Sequence, residues 1–315
     1  MFVLKVWLSR KGSKLGEPNM RSILLGGLAA LCLSAAPAFA QGVPPTVIAD
    51  PAPDAAHPPR SAQVLIPSEG SEMNALFYLA GGQGPHPTVI LLHGLPGNEQ
   101  NLDLAQAIRR AGWNVLTLHY RGSWGSPGRF SITGAIADGD AAVAFARDPR
   151  VAAKYGIDTH RIVMGGHSMG GLVTAMHASH DPNLAGAFFL DPWNAGADGA
   201  QWAAADPTRR SAFEAGMDDF GHSLAGADPH SIAVEIAAHA REWDLVDRGG
   251  SLTRSPVLVI GAERGGGAGV RAFADAIVQA GGQVSGGEMS TDHGFSDHRI
   301  AMMSAVVDWL NHLPH

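Results

Sequence analysis

The chain holds one cysteine, Cys32, in 315 residues. Without a second thiol it can form no internal disulfide and no thiolate metal site, so its stability must come from a packed core. Charge is also sparse: charged residues make up 16% of the chain, and 22 basic residues face 29 acidic ones. Such an acidic balance disfavours the basic face on which a nucleic-acid partner would depend. Long apolar runs are missing too. The longest, Ile23 to Ala36, has about 14 residues, short of the roughly 20 that cross a bilayer.

That run, preceded by Arg21 and followed by Ala38-Phe39-Ala40, has the layout of a secretory signal peptide with a small-x-small cleavage pattern before Gln41. Residues 1–40 are therefore expected to be removed on export to the periplasm or medium. Residues 1–19 read either as an upstream start ahead of Met20 or as a long charged segment. Cys32 follows Leu31, where a lipid-attachment site would want a small residue. The first forty residues hold five basic groups and one acid, so the remainder carries 17 basic against 28 acidic residues, a net charge of −11.

The 45% hydrophobic content suits one large domain. Residues 41–60 are Pro- and Ala-rich without periodicity and read as an extended, mobile arm. From residue 61 onward, strand-like segments (62–67, 73–80, 88–92, 113–118, 161–165, 187–190, 256–260, 283–289) are interleaved with helical periodicity at 99–111, 131–147, 170–179, 268–280 and 297–312. The first two strands form a hairpin. This alternation predicts a mostly parallel sheet with helices on both faces. Ligands of such sheets sit beyond the carboxyl ends of the strands. Residues 194–250 break the rhythm with a helix-prone stretch containing Trp202, Phe213, Met217, Phe220, Ile232, Ile236 and Trp243, which predicts a helical insertion over the working edge.

Within this frame Gly166-His167-Ser168-Met169-Gly170 follows an apolar strand and precedes a helix. With 40 glycines in the chain, a GxSxG string arises by chance about 0.3 times, so its partners must decide. A serine hydroxyl needs a base, and the base needs an acid to hold its tautomer. His293, in the loop before the last helix, is the expected base and is preferred to His298, which falls at the start of that helix. Glu263 in Gly261-Ala262-Glu263-Arg264 is the expected acid, with Asp191 at the end of the preceding strand as the alternative. The oxyanion needs two N–H donors. Met169, at the start of its helix, and Leu95, in the loop His93-Gly94-Leu95-Pro96-Gly97, occupy the required places. A metal site built from Asp292, His293, Asp297 and His298 matches no zinc spacing. No cofactor and no metal are expected.

On these residues the chain from about 62 to the C-terminus resembles the α/β-hydrolase superfamily. The matching features are the strand ending in His93-Gly94, the Gly166 to Gly170 turn, and the Asp292-His293 loop, in the superfamily's order of nucleophile, acid and histidine. The segment Tyr120 to Gly128 further resembles the Arg-Gly loop of the dienelactone hydrolase and serine-peptidase branches, the latter including acylaminoacyl-peptidase-like enzymes and serine aminopeptidases. Many members have an aspartate where this chain has Arg264. The resemblance implies an α/β-hydrolase fold and a serine hydrolase acting on a small ester or a short peptide, which the signal-peptide pattern of residues 1–40 would place outside the cytoplasm. A non-catalytic binding protein that keeps the fold is the alternative of another class. Trp124 and the aromatics of the insertion are candidate pocket walls.

Overall fold

The computed structural model describes residues 5–6, 42–217 and 223–314. The apolar run of the expected signal peptide, Cys32 and Phe220 lie outside them. Among the described residues one sheet contains β1 (Lys5–Val6), β2 (Arg60–Ser68), β3 (Ser71–Leu79), β4 (His86–Leu92), β5 (Asn114–Leu118), β6 (Ile157–His167), β7 (Gly186–Leu190), β8 (Val257–Arg264) and β9 (Val284–Asp292). Their order is β1-β9-β8-β7-β6-β4-β5-β3-β2. The pairs from β5 through β9 are parallel, and the edge pairs are antiparallel. This is the α/β-hydrolase fold.

Burial explains why these segments are strands. β5 and β7 are buried along their whole length, and β4 is buried from Thr88 to Leu92, as suits strands covered on both faces. Alternate residues feed two cores. Ile90 and Leu92 join Met164, Phe189 and Val259 on one face, while Val89 and Leu91 join Val163, Phe188 and Leu258 on the other. The outer strand β2 buries Val64, Ile66 and Ser68 and exposes the residues between them, which is the alternation of a one-sided edge.

The helices are α1 (Pro45–Ile48), α2 (Leu102–Arg110), α3 (Ile132–Arg147), α4 (Pro149–Tyr155), α5 (Met169–Ala178), α6 (Ala195–Ala204), α7 (Pro207–Ala215), α8 (Pro229–Ala238), α9 (Leu245–Arg248), α10 (Gly267–Gln279) and α11 (Arg299–Asn311). None of the described helices is long and apolar enough to cross a membrane. The arm over 41–60 needs correction, because part of it is docked as α1. Arg110 donates from Nε to the carbonyl of Thr46 (2.6 Å) and from Nη2 to that of Val47 (2.9 Å). Val47 is buried, so one apolar side chain and two otherwise free carbonyls fix the turn.

Helices α6 to α9 occupy the stretch between β7 and β8. They are tied to the sheet's working edge by backbone bonds from Trp124 N–H to Ser223, Ala225 N–H to Gly122 and Phe130 N–H to Ala225. Glu235 of α8 accepts from the N–H groups of Ile132 and Thr133 at 2.9 Å. A carboxylate there satisfies two unpaired donors at the start of α3 and complements its dipole.

Candidate active site

The turn from β6 into α5 places Ser168 at φ 55° and ψ −119°, a conformation that a residue with a side chain adopts only under constraint. The constraint is visible on both sides. Ser168 donates its N–H to Leu190 and accepts at its carbonyl from the N–H groups of Gly171 and Trp193. A Cβ on Gly166 would lie 2.3 Å from the carbonyl carbon of Gly170, and one on Gly170 would lie 2.4 Å from the oxygen of Leu92. The glycine spacing is therefore steric. Met169 begins α5, so its N–H has no acceptor in a preceding turn. The loop after β4 lies directly against the serine: a Cβ on Gly94 would stand 2.8 Å from that of Ser168. Leu95 follows at once.

His293 follows β9, and its Nδ1 lies 2.5 Å from Oδ2 of Asp191. Asp191 is fully buried, whereas the imidazole is 47% exposed, so one side of the ring is held and the other is open. The neighbours that aim it are the residue beside the serine and an arginine. His167 packs against His293 with ring centroids 4.5 Å apart and the rings tilted by 43°, and its Nε2 donates to the carbonyl of His293 at 2.8 Å. Arg299 donates to the carbonyl of Gly294 (2.9 Å) while also pairing with Asp103 and Asn101.

The expectation that Glu263 meets His293 is corrected. β8 does not stop at Ile260 but runs to Arg264, which pairs with Asp292 of β9, so Glu263 is an exposed strand residue. The carboxylate beside the histidine comes from the end of β7. Asp191, at φ 42°, accepts at Oδ1 from Ala262 N–H (3.0 Å) and at Oδ2 from Gly266 N–H (2.9 Å). A Cβ on Gly265 would lie 2.1 Å from Oδ2 of Asp191. The loop expected to carry the acid is glycine because the acid of the neighbouring strand rests on it.

Of the group Asp292, His293, Asp297 and His298, the structure turns His293 to Asp191 and Asp292 to Ser296, and leaves only Asp297 and His298 in contact with each other. Asp292 accepts from Ser296 N–H, Asp297 pairs with Thr291 and Arg264, and His298 lies 3.0 Å from Asp297. A different cluster, Asp140, His177 and His180, brings three donor atoms within 4.8 Å of one another. The sequence reading passed over it. Its signals were the His-x-x-His spacing at the end of α5 and an aspartate on α3.

The surroundings of the site hold two further histidines that composition alone gave no reason to single out. Burial lowers both His93 and His167 to a pKa of about 4. His93 donates from Nδ1 to the carbonyl of Gly94 at 2.7 Å, since a carbonyl can only accept. It thereby braces the loop that lies on Ser168. Trp124 is 42% exposed, and its indole N–H donates to Pro96 at 2.7 Å, joining the same loop to the segment after β5.

Comparison with known proteins agrees with the architecture. A family model described as alpha/beta hydrolase fold matches residues 87–223. The alpha/beta hydrolase domain-containing protein WAV2 of Arabidopsis thaliana is 31% identical over 129 residues, which is 40% of this chain and 40% of that protein. The chain thus matches well under half the length of that relative. An esterase of Pyrobaculum calidifontis superposes with a TM-score of 0.58 at 18% identity, covering 80% of this chain and 85% of the esterase. The acylaminoacyl peptidase of Pyrococcus horikoshii gives a TM-score of 0.58 at 15% identity, covering 80% of this chain and 41% of the peptidase. At such identities the likeness to both structures is one of fold.

Proposed function

Because the chain is a member of the α/β-hydrolase superfamily, we propose that it is a serine hydrolase that cleaves a carboxylic ester or amide through an acyl-enzyme. The observation that carries this reading is the buried Asp191 bonded to a half-exposed His293, whose ring packs on His167, the residue before a serine held in a strained turn.

In this reading Nε2 of His293 takes the proton of Ser168 as Oγ attacks the substrate carbonyl. Asp191 accepts from Nδ1–H, fixes the tautomer and stabilises the imidazolium that forms. The N–H groups of Leu95 and Met169 receive the oxyanion, each worth on the order of 3 kcal/mol. His293 then returns the proton to the leaving group, and water repeats the cycle to release the acid. Ester and amide substrates pass through the same tetrahedral state. Cleavage of short peptides by an aminopeptidase or acyl-peptidase is therefore the second reading, and acyl esters of graded length assayed beside aminoacyl arylamides separate the two.

A fluorophosphonate probe tests the nucleophile. Wild-type protein labels at one site and Ser168→Ala does not. Absence of labelling in folded wild-type protein overturns the enzyme reading and leaves a binding protein of the same fold. Residues 1–40 we read as an export signal. Sequencing the exported protein from its amino end checks this, with a start at Gln41 expected.

A further inference from the structure

Helix α5 carries Ser168 at its start and, nine residues on, His177 in its last turn. At 1.5 Å per residue this histidine lies about 14 Å from the nucleophile, on the face of α5 that meets α3. His177 is almost wholly buried, with side chain 7% exposed, and touches two carboxylates. Nε2 lies 2.9 Å from Oδ2 of Asp181, and Nδ1 lies 2.6 Å from Oδ1 of Asp140 on α3. His180 adds a third donor, its Nε2 being 3.6 Å from the same oxygen of Asp140.

The other ring nitrogens decide what these donors can do. Nδ1 of His180 lies 2.9 Å from the carbonyl of Met176. A carbonyl only accepts, so Nδ1 carries the proton and Nε2 presents a bare lone pair. Asp181 is held by Arg147 Nη1 at 2.6 Å and by Asn183 N–H at 2.9 Å, and it accepts the Nε2–H of His177. In the neutral ring Nδ1 of His177 is then a second lone pair, facing Asp140. Two acceptors 2.6 Å apart repel unless a cation stands between them, and that cation is either a proton or a metal ion. Both histidines have the outer contact that ligating imidazoles use, a carboxylate for one and a backbone carbonyl for the other.

We propose that Asp140, His177 and His180 form a zinc-class divalent metal site that clamps α3 to the end of the helix bearing the nucleophile. The ligands are Nδ1 of His177, Nε2 of His180 and one carboxylate oxygen of Asp140, with water in the fourth position of a tetrahedron. Ligand atoms about 2.0 to 2.1 Å from zinc stand about 3.4 Å apart, so the pair at 2.6 Å opens by under 1 Å. Asp140 and His180 can make that adjustment, with side chains 45% and 58% exposed, while His177 stays fixed. Imidazole nitrogens favour zinc, cobalt, nickel and copper over magnesium and calcium. Metal entry displaces the proton between His177 and Asp140.

Titration of chelator-treated, untagged full chain with zinc chloride at neutral pH, followed by calorimetry, tests the proposal. One equivalent binds with loss of a proton. Cobalt chloride gives the visible bands of a tetrahedral site, and zinc removes them. At free zinc 100 times Kd the folded state gains about 100-fold over the unfolded, which a rise in Tm reads. Asp140→Asn and His180→Ala, both at exposed side chains, each weaken zinc binding at least about tenfold. Asp181→Asn weakens it about 10- to 100-fold. His57→Ala, at an exposed histidine outside the cluster, leaves it unchanged. Absence of saturable zinc binding by the wild type overturns the site. So does zinc affinity or cobalt bands that persist in both Asp140→Asn and His180→Ala.

Discussion

The acid is where single residues decide most. Asp191 and Glu263 each stand near the carboxyl end of a strand, on the adjacent β7 and β8, yet only Asp191 turns inward, lies wholly buried and touches His293. Replacing it by Asn keeps the shape but presents an amide to the ring, which favours the wrong imidazole tautomer, and kcat is expected to fall about ten-thousand-fold. Glu263→Gln alters an exposed strand residue and is expected to leave kcat within about twofold. Steady-state kinetics on any ester the protein accepts reads both variants, and the reverse pattern would move the role to Glu263. The proposed nucleophile and base, Ser168 and His293, stand out in the sequence because each is marked by local pattern, a glycine two residues to either side of one and a loop before the last helix for the other. The acid was legible only as a choice, with Asp191 the alternative to the preferred Glu263, because its identity depends on where β8 stops. No local signal distinguishes a strand ending at Ile260 from one running to Arg264. The glycines after Arg264 were a signal of a kind: they leave room for a carboxylate that arrives from elsewhere.

At the scale of elements, the alternation of strands and helices was readable from periodicity, and the core strands lie within a few residues of their expected bounds. Short elements were not. α1 and α4 have four and seven residues, too few for a periodic signal, and both begin at proline, α1 in a Pro- and Ala-rich segment and α4 one residue after α3 ends. Packing between elements was also hidden, and the clearest case is Asp138 on α3. It is fully buried and accepts from Ser68 Oγ (2.6 Å), from Arg121 N–H (2.8 Å) and from Arg121 Nε (2.5 Å). One carboxylate thus joins the end of β2, the loop after β5 and α3. Asp138→Ala leaves the Nε and backbone N–H of Arg121, whose side chain is only 10% exposed, and the Ser68 hydroxyl without their acceptor, while Nη1 keeps Glu69 and Nη2 keeps the carbonyl of Gly134. Removing one partner of such a buried pair costs about 3 to 5 kcal/mol. The midpoint of urea unfolding should fall accordingly, and a loss under about 1 kcal/mol would show that the existing bonds to Glu69 and Gly134, with water at Nε, are enough to hold Arg121.

For the whole molecule, strand order was beyond the sequence, because parallel strands can be shuffled without changing any local pattern. That order brings Ser168, Asp191 and His293 to one edge from the ends of β6, β7 and β9. It also buries imidazoles, and burial makes stability depend on pH. In an unfolded chain histidine titrates near 6.5, while folding lowers His93 and His167 to about 4 by removing them from water. Above pH 6.5 the rings are neutral in both states and cost nothing. As pH falls through 6.5 the unfolded chain gains protons that the folded one refuses, so stability drops; near pH 4 the folded rings accept them too and this loss stops. A shift from 6.5 to 4 corresponds to about 3 kcal/mol for each ring. The acid limb therefore begins above the carboxylate range. Asp103, where burial raises the carboxyl but the hydrogen bonds and charge of Arg299 and the backbone N–H of Leu104 together hold it below its ordinary value, contributes only at still lower pH. Urea unfolding measured from pH 8 to 4 should show a steady fall between 6.5 and 4, and His93→Asn, which keeps a donor for Gly94, should remove about half of it. A flat stability profile down to pH 4.5 would mean that these rings take up protons in the folded state as readily as in the unfolded one.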